Sequence, residues 1–141
     1  MTFSNLPPAI AEALAERGYD APTAVQAAVA DPGAEGRDLI VSAQTGSGKT
    51  VAFGLAMAAE LLAGEATLPF AELPLALVIA PTRELALQVS RELGWLYARA
   101  GARIATCVGG MDPSKERRAL RGGAHIVVGT PGSTRRTRCS T

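Results

Sequence analysis

The chemistry of this chain is densest in one run of eight residues, Ala43-Gln44-Thr45-Gly46-Ser47-Gly48-Lys49-Thr50. Polyphosphate oxygens must be met by several backbone N–H groups at once, which demands a main chain that turns sharply and approaches closely. Gly46 and Gly48 permit that. A helix opening at the end of the run adds N–H donors and positive potential. Lys49 brings a point charge to the terminal phosphates, and the Thr50 hydroxyl is placed to ligate Mg²⁺. The general pattern for such a loop begins with Gly, and here that first position is Ala43.

Ahead of this run stands Gly18-Tyr19-Asp20-Ala21-Pro22-Thr23-Ala24-Val25-Gln26. A glutamine amide can pair with the donor–acceptor edge of adenine, N6 and N7. Thr23 is placed to bond neighbouring backbone or the loop, and Phe3 and Tyr19 to lie near the base. Taken alone, Gln26 reads as a surface helix residue and Tyr19 as a capping contact; beside a phosphate-binding run, adenine recognition becomes the stronger reading.

The elements that must position these groups alternate. Runs of consecutive aliphatic residues occur at 38–43, 75–80, 103–108 and 125–130, a pattern that suits strands covered on both faces of a parallel sheet. Helical patterns fall between them. Residues 51–62 are apolar on nearly every side and predict a deeply buried helix. Over 83–99 a stripe of Leu85, Val89, Leu93 and Leu96 predicts an amphipathic one. Asp112 and Pro113 read as the start of a helix that ends by Gly122-Gly123. Two shorter helices, about 7–17 and 22–30, precede the first run, and 63–74 is the longest expected loop. Strand alternating with helix predicts an α/β fold with a mostly parallel sheet flanked by helices.

In such sheets ligands bind beyond the carboxyl ends of strands. Three segments should therefore share an edge with the phosphate loop: Pro81-Thr82-Arg83-Glu84-Leu85-Ala86, Gly109-Gly110 and Thr130-Pro131-Gly132. Threonine hydroxyls, glycine amides and the Arg83 fork suit a sugar-phosphate backbone, a contact that positions a strand without reading its sequence. Arg83 equally suits an ion pair with Glu84, and Gly109-Gly110 a simple turn. His125 reads as structural.

The length of 141 residues fits one domain. Aromatics are only 4%, so the core must be built from Ala, Val, Leu and Ile. The net charge is +1, but Arg135, Arg136 and Arg138 all lie in the last nine residues; without those three cations the rest sums to −2. This excludes a module that holds nucleic acid by bulk charge. Residues 133–141 carry no aliphatic residue and read as a disordered tail or an artefact. Cys107 reads as a core residue, and Cys107 and Cys139 have no metal-like spacing. No apolar stretch reaches membrane-spanning length, and no signal peptide is evident, so the cytoplasm is the default location.

Together these segments resemble the DEAD-box ATP-dependent RNA helicases of superfamily 2. The stretch Gly18–Gln26 with Phe3 upstream looks like that family's Q motif, Ala43–Thr50 like motif I with its Ala in first position, Pro81–Ala86 like motif Ia, Gly109-Gly110 like the GG element, and Thr130-Pro131-Gly132 like the start of motif Ib. All occur in the family's order, over about residues 3–132, and Ser133 stands where motif Ib continues with arginine. The resemblance implies the N-terminal part of a P-loop, RecA-like domain that binds ATP and Mg²⁺. It also implies RNA, single-stranded or duplex, held by its backbone, and in the intact family protein a second RecA-like domain in the same chain. The family's D-E-A-D tetrad and S-A-T motif are absent, and none of the apolar runs ends in Asp or Glu. This chain is therefore expected to be inactive alone and marginally stable. Two alternatives remain open: a non-enzymatic nucleotide- or RNA-binding fragment, and an unrelated P-loop kinase or GTPase, although no guanine-reading Asn-Lys-x-Asp is present.

Overall fold

The computed structural model describes residues 5–44, 48–109 and 113–133. Phe3, Thr45, Gly46, Ser47, Gly110, Asp112 and Cys139 lie outside the described residues. The chain divides into two compact units, one of Met1–Leu68 with Trp95–Gly101, the other of Pro69–Gly94 with Ala102–Thr141.

The first unit is helical. Helix α1 (Pro8–Glu16) starts at Pro8, whose fixed φ suits a first helical turn, and buries Ala9, Ile10, Ala13 and Leu14 along one stripe. Helix α2 (Ala24–Val29) is short and depends on its cap. Thr23 Oγ1 accepts from Gln26 N at 3.4 Å, and Gln26 Oε1 accepts from Thr23 N at 3.0 Å, a reciprocal capping box. Helix α3 (Lys49–Leu62) buries Val51, Ala52, Gly54, Leu55, Ala58 and Leu62. Phe53 and Glu60 are exposed, so this helix is buried along one face and not all round. The buried Tyr97 hydroxyl donates to the Gly54 carbonyl at 2.6 Å. Burial pushes the Tyr97 phenol above the ordinary tyrosine range. At the surface Arg99 pairs with Glu12 at 3.1 Å and with Glu16; the hydrogen bond from Arg99 holds the Glu16 carboxyl below its usual range.

The second unit is a three-stranded parallel sheet with helices. Its strands are β1 (Ala76–Ile79), β2 (Ile104–Cys107) and β3 (Ile126–Gly129), in the order β1-β3-β2. Ala76 and Ile104 both stand opposite Ile126, and Ile79 and Cys107 both stand opposite Gly129. Only the central strand β3 is buried at every position; β1 and β2 are partly exposed. All but the last two residues of α4 (Arg83–Leu96) and α5 (Pro113–Arg121) complete the unit, with Leu120 of α5 packed on Ala105, Cys107, Ala124 and Val127. Of the α4 stripe, Val89, Leu93 and Leu96 are buried, while Leu85 is partly exposed. His125 is buried and joins three segments of this unit. Its Nδ1 accepts from Arg103 N at 2.9 Å, and its Nε2 lies 2.6 Å from Pro69 O.

Three of the four aliphatic runs form strands, and the run at 38–43 does not. Among the described residues it joins no ladder, and Ile40 is fully exposed. Consecutive aliphatic residues report a tendency to be covered on both faces, but a strand exists only where a neighbour supplies hydrogen bonds. None of β1, β2 or β3 pairs with residues 38–43.

Candidate nucleotide site and strand-end loops

In the first unit the groups singled out around the phosphate loop meet. Gly48 is the N-cap of α3, and its φ of +79° is a left-handed conformation that glycine adopts without steric cost. Among the described residues no side chain caps this helix N-terminus. Its first-turn N–H groups therefore retain the anion-binding character of an open helix start. Lys49 begins the helix and folds back, donating from Nζ to Ala43 O at 2.5 Å. The ammonium is thus held across the loop by a single neutral carbonyl, an interaction that a phosphate oxygen can replace with a stronger, charge-assisted one. Thr50 follows in the first turn, half-buried.

Gln26 is wholly buried, with 0% exposure. Its Oε1 is held by Thr23 N, and its Nε2 donates to Gly48 O at 3.4 Å. The amide therefore ties the α2 cap directly to the glycine that opens α3. One further N–H and one lone pair remain on this amide. A base reaches them only once the amide edge is uncovered. Tyr19 stacks on Trp95, with ring centroids 5.6 Å apart and planes 28° apart, and Arg17 lies 4.9 Å over the same indole. The tyrosine that sequence placed near a base thus has an aromatic partner from the far end of α4. Spacing gave no sign of this, since Trp95 lies 76 positions away.

Gly48→Ala tests this arrangement. The added Cβ would overlap Gln26 Nε2, with Gln26 Cδ at 3.3 Å and Thr23 Oγ1 at 3.6 Å. Left-handed backbone itself costs an L-residue about 1–2 kcal/mol. Gly64 provides the control, because its φ is +84° and nothing lies within 4 Å of its Cβ position. Urea denaturation should show Gly48→Ala costing at least about 1 kcal/mol more than Gly64→Ala, within the usual range for overpacking. Equal costs would mean that the Gln26–Gly48 contact does not constrain the loop.

In the second unit the parallel register brings three strand ends level. Ala80 N donates to Gly129 O at 2.9 Å and Thr130 N to Cys107 O at 3.2 Å, so the ladder closes at one edge. Pro81, Thr82 and Arg83 leave β1 there, Gly109 leaves β2, and Thr130, Pro131 and Gly132 leave β3. All but half-buried Thr130 are exposed. Thr82 Oγ1 accepts from Leu85 N at 3.2 Å and so caps α4 while keeping its hydroxyl hydrogen. Thr130 Oγ1 donates to Ser133 Oγ at 3.2 Å. Thr82, Arg83, Gly109 and Thr130 thus offer hydroxyl, guanidinium and backbone groups along one rim.

A helix opened by a left-handed glycine and, in the second unit, a parallel sheet with polar groups at its strand ends are features of an α/β domain of the RecA-like class. The family model described as DEAD/DEAH box helicase matches residues 23–138, and the chain belongs to that family. It is 45% identical over 123 residues to the ATP-dependent rRNA helicase rrp3 of Emericella nidulans, covering 87% of this chain and 25% of that protein. It is 49% identical over 98 residues to the DEAD-box ATP-dependent RNA helicase CshA of Streptococcus pneumoniae, covering 70% of this chain and 18% of the relative. Among solved structures, a hypothetical ATP-dependent RNA helicase from Sulfolobus tokodaii superposes with a TM-score of 0.77 at 30% identity, over 94% of this chain and 36% of that one. The RNA-helicase Prp28 from Chaetomium thermophilum bound to ADP gives 0.76 at 36% identity, over 96% and 32%. The chain therefore spans about a fifth to a quarter of the curated relatives it matches and about a third of these solved chains.

Proposed function

We propose that this chain is the ATP-binding and RNA-binding segment of a DEAD-box ATP-dependent RNA helicase. The observation that carries the reading is the Gln26–Gly48 link beside Lys49, which joins a candidate base reader to a candidate phosphate loop. ATP would be held by its phosphates on Gly46, Gly48 and Lys49 at the α3 start, and by its adenine on Gln26. Phe3 and Tyr19 would lie near the base. Thr50 would carry Mg²⁺, which supplies charge neutralisation at the terminal phosphates. The residues fit that cargo: among the described residues no side chain caps the helix start, the loop glycine carries no side chain, and the lysine ammonium rests on a carbonyl. RNA would lie along the rim of Pro81, Thr82, Arg83, Gly109, Gly110, Thr130, Pro131 and Gly132, held by its backbone. In the intact protein a second RecA-like domain would complete both sites, and the cytoplasm is the proposed location.

A second reading concerns turnover. Hydrolysis needs a carboxylate that holds the metal and orients water. Among the described residues β1, β2 and β3 run into Ala80-Pro81, Val108-Gly109 and Thr130-Pro131, with no acid at any strand end. This favours nucleotide binding by this chain without hydrolysis.

Competition binding tests the function. ATP should displace a fluorescent adenine nucleotide at least about tenfold better than GTP, and Gln26→Ala should narrow that preference, since a good bidentate base contact is worth about 1–3 kcal/mol. Equal displacement by ATP and GTP would overturn adenine recognition. Release of phosphate above the level of a Lys49→Ala control, with or without RNA, would overturn the second reading.

A further inference from the structure

Helix α5 carries Lys115, Arg117, Arg118 and Arg121 against a single acid, Glu116, a local charge of +3. Its one apolar anchor, Leu120, is turned onto the sheet. On the outer side Ser114, Arg117, Arg118 and Arg121 line a recess of about 300 Å³. These positions are three and four apart, so their side chains rise from adjacent turns of one face. Arg103 adds a fifth cation at the end of the helix, donating to Gly122 O at 2.5 Å.

The simplest account of cations in a last helical turn is the macrodipole, which favours Arg118 and Arg121. It falls short here. The dipole end amounts to about half an elementary charge and fades within one turn, whereas α5 carries +3 and two of its cations stand before the last turn. Like charges at Arg117 and Arg121, and at Arg118 and Arg121, destabilise a bare helix. An anion in the recess reverses that sign.

We infer that the Arg117–Arg118–Arg121 recess of α5 is a second anchor for the RNA sugar-phosphate backbone, separate from the strand-end rim. Three guanidinium forks match tetrahedral phosphate oxygens. Only serine and arginine side chains line the recess, so its apolar surface is that of arginine stems and no aliphatic or aromatic residue contributes. A protein partner would bury an apolar centre, whereas nucleic-acid interfaces are polar and strongly cationic. The inference rests on the RNA-binding half of the proposed function and not on its nucleotide-binding half.

The test is binding of a 20-nucleotide single-stranded RNA to the full chain at several salt concentrations. Each phosphate contact to a single strand contributes about −0.7 to the slope of log K against log salt. Replacing Arg117, Arg118 and Arg121 together by Gln should weaken binding at low salt at least about tenfold and flatten the slope by about 2. Gln is a good helix former, and unchanged circular dichroism would confirm that α5 persists. Lys at the same three positions should restore the slope while leaving affinity below wild type, because a point charge replaces a fork. Thr130→Ala should weaken binding with the slope unchanged. Wild-type binding to RNA with the triple Gln variant unaltered in affinity and slope would overturn the anchor alone. No RNA binding by the wild type would overturn the RNA half of the function with it. A triple variant that loses binding of inorganic phosphate or of poly-glutamate, but none of RNA, would reassign the recess and overturn the inference.

Discussion

Lys49→Ala should lower ATP affinity roughly 10- to 150-fold while leaving α3 folded. In the structure the Lys49 ammonium sits on Ala43 O at 2.5 Å, across the mouth of the loop. A neutral carbonyl is a poor substitute for the water an ammonium gives up, so this contact contributes little to folding. A phosphate oxygen in the same place makes a charge-assisted hydrogen bond, worth about 1.5–3 kcal/mol in net terms. That range converts to roughly 10- to 150-fold in dissociation constant. Alanine is the best helix former, so the first turn of α3 should not fray. Lys49→Arg should fall between, since it keeps the charge but not the compact head. The measurement is direct titration with ATP and Mg²⁺ by calorimetry, with unchanged circular dichroism as the folding control. An affinity within twofold of wild type would remove Lys49 from the site. A loss equal for ATP and for adenosine would show that the lysine acts on something other than phosphate.

What sequence could and could not supply divides along the range of the interactions. The run at 43–50 stood out as a candidate phosphate loop because its residue types are adjacent, and of it the structure places Gly48 in a left-handed turn at the α3 start with Lys49 folded back on Ala43 O. The strands at 76–79, 104–107 and 126–129 were legible for the same reason, and their shared edge followed from the rule for parallel sheets. The run at 38–43 has the same composition and no ladder. Strand formation depends on a neighbour distant in sequence, and composition reports only a readiness to pair. Gln26 shows a different limit. Its spacing from Thr23 is that of a capping box, and its burial is a consequence of packing against Gly48, 22 residues away. A residue type that suits base pairing was therefore found holding a cap and a loop together. The Tyr19–Trp95 stack and the Tyr97 bond to Gly54 are likewise long-range and left no local pattern. The basic face of α5 did leave one, Lys-Glu-Arg-Arg-Ala-Leu-Arg over 115–121. Net charge concealed it, because acids elsewhere bring the whole chain to +1.

His125→Leu should cost the second unit about 2–4 kcal/mol of stability, a large part of the roughly 5–15 kcal/mol typical of a domain. The imidazole is 3% exposed and uses both ring nitrogens. Because Nδ1 accepts from Arg103 N, the ring hydrogen sits on Nε2 and is donated to Pro69 O. Through its backbone the same residue donates to Arg103 O at 2.8 Å and accepts from Leu75 N at 2.8 Å and Ala76 N at 3.1 Å. It therefore fixes the starts of β1 and β2 against β3, and its ring closes the segment that enters β1. Leucine keeps the backbone ladder and much of the volume but leaves the Arg103 N–H and the Pro69 carbonyl without their partner. A fully buried group so stranded costs about 1–3 kcal/mol; both bonds here are part-buried and both Arg103 and Pro69 are exposed residues, so each loss falls toward the lower end of that range. His125→Asn separates the two bonds. Its shorter amide can reach the position of Nδ1 but not that of Nε2, so it should recover the Arg103 contact and about half of the loss. Urea denaturation followed by circular dichroism gives the magnitudes, and limited proteolysis within residues 63–74 reports whether the entering segment has come loose. A Leu variant within 0.5 kcal/mol of wild type, below the roughly 1 kcal/mol expected of even one lost buried bond, would mean that His125 fills space and ties nothing.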